Sequence, residues 1–162
     1  MSVLKWPSVF LLVFTFSNLP ARPVSLMVSD SLRGITLFEK GKSTYYSNRD
    51  SSFYYFKEAI EPLFRAGLYD HYVNCHNALH NIADQNRDFI IARSYAEKAS
   101  ELASRHLTSL STVSLTTKQN MGTRYLNEGL YEKAGYLLEE AIEAWRNAPK
   151  KDYIKLTTAY LN

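Results

Sequence analysis

From Val28 onward apolar residues recur at intervals of three and four, and the strict alternation of a half-buried strand is scarce. The clearest stretch is Tyr131, Ala134, Leu138, Ala141, Ile142 and Trp145, one face of a helix of about four turns. Asn127-Glu128-Gly129 precedes it, and Gly129 can adopt the left-handed conformation that closes a preceding helix carrying Met121, Tyr125 and Leu126. Thr116 or Thr117 is the expected N-cap of that helix. The same figure recurs upstream. Asp70 is expected to cap a helix with Tyr72, Val73, Leu79, Ile82 and Ala83. A polar turn at 84–88 follows, then a helix with Phe89, Ala92, Tyr95, Ala96, Ala99 and Leu102. A looser copy runs from about Asp30 to Tyr46 with Leu32, Ile35 and Phe38 facing inward. After the turn at 47–50 it continues in a helix with Phe53, Phe56, Ala59, Ile60 and Leu63, which Pro62 should kink or loosen near its end.

The copies keep a fixed spacing. Leu79, Ala92 and Ala99 align with Met121, Ala134 and Ala141, each 42 residues on, and Ala59 precedes Ala99 by 40. A helical hairpin repeated at that period buries its apolar face by stacking on its neighbours, with small alanines where helices approach closely. The expected units are 30–66, 70–104 and 115–147, with a partial helix at 152–162.

Residues 115–145 carry Met121-Gly122, Tyr125, Gly129, Tyr131, Ala134, Leu138 and Ala141, a run that resembles the tetratricopeptide (TPR) motif at its characteristic spacings. Residues 73–103 match through Leu79, Phe89, Ala92 and Ala99, with His80 in the place of a small residue and Ala96 in the place of a large one; residues 31–64 match in their second helix. The 42-residue spacing is similar to that of kinesin-light-chain-type and many bacterial TPR arrays. The resemblance implies an all-α, right-handed superhelical solenoid of two to three antiparallel helical hairpins. It also implies a non-catalytic scaffold that binds another protein or peptide in a concave groove lined by the first helix of each hairpin. The residues placed there are Asn74, Asn77, Asn81 and Asp84, then Gln119, Thr123 and Asn127, amides and hydroxyls suited to bonding the backbone of an extended peptide. Asn81 and Asn120 match the amide part of the TPR clamp for a C-terminal carboxylate, but no lysine lies near Asn77 and Arg124 is the nearby cation. Since similar arrays precede CHAT protease or sensor-kinase domains, the alternative expectation is the sensory part of a larger signalling protein whose effector domain lies beyond residue 162. Self-association through the C-terminal helix is a further expectation.

Composition changes the picture at one end only. Lys5, the apolar run Val9–Phe16, then Ser17, Asn18, Pro20 and Ala21 have the order of a secretory signal peptide, set at 1–25, which predicts an exported, periplasmic or secreted protein. Eight helical residues reach about 12 Å, short of the ~30 Å bilayer core, so no stable membrane span is expected after cleavage. The chain carries 19 basic and 16 acidic residues. Lys5 and Arg22 are the only charges in the first 25, so the remainder is close to neutral and has no nucleic-acid footprint. One cysteine, Cys75, excludes an internal disulfide framework and a cysteine-based zinc finger.

No chemistry of catalysis or metal binding emerges, and no cofactor is expected. His76-Asn77-Ala78-Leu79-His80 has the histidine spacing of a zinc protease, but Asn77 stands where the glutamate base is required. His71 pairs with Cys75 and His76 with His80 at four residues, on faces about 100° apart, so the four cannot converge on one ion. Phosphate-cradling glycine loops and nucleophile elbows are absent, and Glu139, Glu140 and Glu143 beside Lys133 and Arg146 read as a solvated helix face.

Overall fold

A computed structural model of the chain describes residues 23–147. The fold is all-α: among the described residues there are six helices and no strand. They are α1 (Val24–Thr44), α2 (Arg49–Arg65), α3 (Tyr69–Gln85), α4 (Phe89–His106), α5 (Thr112–Asn127) and α6 (Tyr131–Asn147). The expected signal segment lies outside the described residues except for its last three, of which Val24 and Ser25 open α1, and the partial helix at 152–162 lies outside them altogether. No described helix is long and apolar enough to cross a membrane.

Local chemistry fixes the helix ends. The Asn48 side chain accepts from the Ser51 N–H at 2.9 Å, and Ser111 accepts from Ser114 N–H at 3.1 Å. Ser111, not Thr116 or Thr117, is thus the cap of α5, because the chain enters the helix five or six residues earlier than expected. Asp70 does not cap α3 either; it sits within the first turn, after Leu68 at the N-cap position. Three turns share one closing device. Leu68, Asp88 and Leu130 N–H groups bond back five residues, to Leu63, Ala83 and Tyr125, and the residue before each has positive φ: Gly67, Arg87 and Gly129. Pro62 is buried inside α2, which runs on to Arg65.

Packing is closest within α1–α2, α3–α4 and α5–α6, then between α2 and α3 and between α4 and α5; α3 also touches α1 and α5. The hairpins share a register that is visible atom by atom. A Cβ on Gly41 would lie 2.9 Å from the Phe56 ring, and one on Gly122 would lie 2.7 Å from Leu138 Cγ and 3.5 Å from the Ala134 carbonyl oxygen. His80 Nδ1 is 3.0 Å from the Ala92 oxygen. Gly41, His80 and Gly122 therefore hold equivalent places in α1, α3 and α5. The main core joins Phe38, Phe56, Ala59 and Leu63 to Val73, Cys75, Leu79, Ile82, Ala99 and Leu102; Leu115, Ala141 and Trp145 form a separate cluster.

Two expected inward positions are reversed. Leu32 is 69% exposed and Ile35 37% exposed, because the side of α1 against α2 is formed by Gly34, Phe38 and Gly41. The missing side chains let Leu63 and Phe56 press against the α1 backbone. Tyr131 and Phe89 also stand in solvent at the starts of their helices.

Candidate interaction face

The common register sorts the first helices position by position. Ile35, Asn74 and Thr116 are equivalent; so are Lys42, Asn81 and Thr123, and Tyr46, Gln85 and Asn127. Glu39, Ala78 and Asn120 complete the row between. All twelve are half-buried or exposed. Their neighbours three and four along each helix share one side, as helical geometry requires. The helices that carry them touch: the Phe38 and His71 rings meet edge-on at 4.9 Å, and Gln85 Nε2 lies 3.5 Å from Tyr45 Oη.

The seven residues expected to line a groove divide on this basis. Asn74, Asn81, Asp84 and Thr123 are half-buried and Asn127 is exposed. Asn77 and Gln119 are withdrawn from solvent, at 4% and 8% exposure. The Asn77 amide is spent between helices: its Nδ2 donates to Thr117 Oγ1 at 2.8 Å, and its Oδ1 accepts from Asn120 Nδ2 at 3.3 Å. Asn77 is thus a joint between α3 and α5. Sequence periodicity placed it one helical turn from Asn74 and from Asn81, too near to separate a bridging amide from a solvent-facing one.

A charged cluster missed by sequence reading ties α4 to α5. Arg124 donates to Glu128 Oε1 at 2.8 Å and to Glu97 Oε1 at 3.5 Å, and Arg93 reaches the same Glu128 oxygen. Opposite charges four apart at Arg124 and Glu128 were the available signal; the contacts to α4 depend on the fold. Lys118 pairs with Glu140 across the third hairpin. On α1, Glu39 and Lys42 satisfy each other at 2.9 Å.

Of the histidine and cysteine group, Cys75, His76 and His80 are interior and His71 is half-buried. Cys75 is fully buried, and burial pushes its thiol far above the ordinary range, which keeps it protonated. His76 is 6% exposed, edge-on to Tyr72 at 5.2 Å and tilted against Tyr95 at 5.8 Å, with neither ring nitrogen hydrogen-bonded. Burial, reinforced by the Lys98 charge, lowers its pKa to about 4. Burial also lowers that of His80. Among the described residues no group of three or more histidine, cysteine or acidic side chains is placed to hold a metal ion.

No protein-family model matches the chain, and neither the curated proteins nor the solved structures contain a match.

Proposed function

We propose that this chain is a TPR-type solenoid that does no chemistry and holds a segment of another protein across its first helices. The observation that carries this reading is the row of uncharged hydrogen-bonding side chains at equivalent positions of adjacent helices. Asn74 and Asn81 on α3 stand beside Thr116, Asn120 and Thr123 on α5, all partly open to solvent. Side-chain amides offer one donor and one acceptor side to a peptide backbone, so they recognise an extended chain without regard to its side chains. Helical hairpins stacked in register repeat such groups at matched heights.

The reading is tested with a random-peptide display library selected on the purified protein. Binders are expected, and Asn81→Ala with Asn120→Ala should weaken them by about tenfold or more while helical circular dichroism stays unchanged. Failure to select any binder, or binders indifferent to both substitutions, overturns the face. We also propose export, on the order of charge, apolar run and small residues in the first 25 positions. Mass spectrometry of the protein recovered from its source should find an N-terminus near residues 18–25, and an intact Met1 chain would refute this.

A further inference from the structure

The first and third hairpins share a cross-helix position and fill it differently. In the register set by Gly41 against Phe56 and Gly122 against Leu138, Leu37 on α1 corresponds to Lys118 on α5, and Glu58 on α2 to Glu140 on α6. In the third hairpin Lys118 bonds Glu140. In the first, leucine stands in the place of that lysine, and the half-buried Glu58 has no cationic partner among the described residues. Elsewhere on these helices Arg65 is committed to Asp30 and Glu61, and Lys42 to Glu39. Glu58 and Leu37 line an open crevice of about 400 Å³ between α1 and α2. Arg33 lines it too, exposed and likewise without an ion pair or hydrogen bond among the described residues. One crevice thus holds an unpaired carboxylate and an unpaired guanidinium that do not satisfy each other, together with the apolar surfaces of Leu32, Leu37 and Tyr54.

We propose that this crevice binds a free α-amino acid with a large apolar side chain. Each part of such a ligand answers a group on the walls. Its ammonium takes the role toward Glu58 that Lys118 takes toward Glu140. Its carboxylate goes to Arg33, whose planar guanidinium can hold both oxygens at once. Its side chain lies on Leu32, Leu37 and Tyr54, and the Ser29 and Thr36 hydroxyls add hydrogen-bonding capacity at the same site. An ion of one sign would leave the opposite charge unanswered, and the end of a long peptide carries only one of the two charges. The volume is at the small end for ligand sites, which suits a single amino acid. The crevice shares no residue with the amide row of α3 and α5, so this site stands or falls independently of the scaffold reading.

Isothermal titration calorimetry of the purified protein with L-leucine and L-phenylalanine tests the site. Saturable binding at one ligand per chain is expected. N-acetyl-L-leucine, which lacks the ammonium, L-leucinamide, which lacks the carboxylate, and glycine, which lacks the side chain, should each bind about tenfold or more weakly. Glu58→Gln should weaken leucine and erase its advantage over N-acetyl-L-leucine, and Arg33→Gln should erase its advantage over L-leucinamide. Neither side chain has a partner to lose, so both variants should keep the parent's helical signal; the analogue series is read on the parent alone and does not depend on them. No saturable binding of either amino acid below about 10 mM overturns the proposal. So does any of the three analogues binding as tightly as leucine, or leucine binding that both substitutions leave unchanged.

Discussion

At the scale of single residues, His76 makes the sharpest demand. Its imidazole is enclosed by Tyr72 and Tyr95 with no hydrogen-bond partner, so the folded protein favours the neutral ring. With a folded pKa of about 4 against an ordinary 6.5, the unfolded chain takes up a proton between those values that the folded chain refuses. Stability is therefore full above about pH 6.5 and falls as the pH drops through that window. The whole gap, at ~1.4 kcal/mol per unit, is on the order of 3 kcal/mol; His80 is shifted the same way. Urea unfolding between pH 6.5 and 5, above the carboxylate range, should show the midpoint falling, and His76→Phe should flatten the slope. An unchanged slope in that variant would place the acid sensitivity elsewhere. Arg87 is a second residue under strain. It holds φ +61 at the turn position that Gly129 fills 42 residues later. Left-handed backbone disfavours any residue with a Cβ by roughly 1–2 kcal/mol. Arg87→Gly should stabilise the fold by roughly 0.5–1 kcal/mol and so raise the unfolding midpoint, less than the full strain because glycine also loosens the unfolded chain. A lower midpoint would mean the arginine side chain contributes more than the strain.

At the scale of elements, the sequence made the hairpins legible and left their faces partly hidden. Ala92, Ala99, Ala134 and Ala141 repeat at 42 residues and are all buried, and the Gly129 turn is where periodicity put it. The failure is on α1. A search for apolar residues found Leu32 and Ile35, which face solvent, and passed over Gly34 and Gly41, which form the contact with α2. Glycine in a helix carries no hydropathy signal, although a close backbone approach is the reason for its presence. Gly122 and Gly135 turn this into a paired experiment. A Cβ on Gly122 would meet the branch point of Leu138, so Gly122→Ala should destabilise by about 1–3 kcal/mol despite alanine's better helix propensity. Gly135 has nothing within 4 Å, and Gly135→Ala should stabilise by about 0.5–1 kcal/mol. Thermal melts of the two variants should move in opposite directions. The Asn77 bridge was beyond sequence reading for another reason: its partners are 40 and 43 residues away, and only the packing of α5 on α3 brings them within reach.

At the scale of the whole molecule, the shared register shows how the ends and joints differ. At the places where α3 buries Tyr72, Cys75, Leu79 and Ile82, α1 carries Arg33, Thr36, Lys40 and Ser43 in solvent. That side of α1 is suited to water. At the same places α5 has Ser114, Thr117, Met121 and Arg124. The joint between the second and third hairpins is accordingly polar, held by Asn77 and the Arg124 cluster, while the joint between the first and second is apolar. Native-state hydrogen exchange should therefore show α5 and α6 opening at lower free energy than α2 and α3. Added salt should widen the difference by weakening the exposed part of the Arg93–Glu128–Arg124 cluster. Uniform protection across all six helices would show instead that the two joints are equally strong.

The position of Asn120 gives that joint a mechanical meaning. Its side chain meets Asn77 underneath and lies in the row proposed to hold a peptide, so a segment lying across α3 and α5 would span this polar joint. Such a segment would act as a splint. The splint would add backbone contacts to a joint that otherwise rests on the Asn77 amide and the Arg93–Glu128–Arg124–Glu97 cluster.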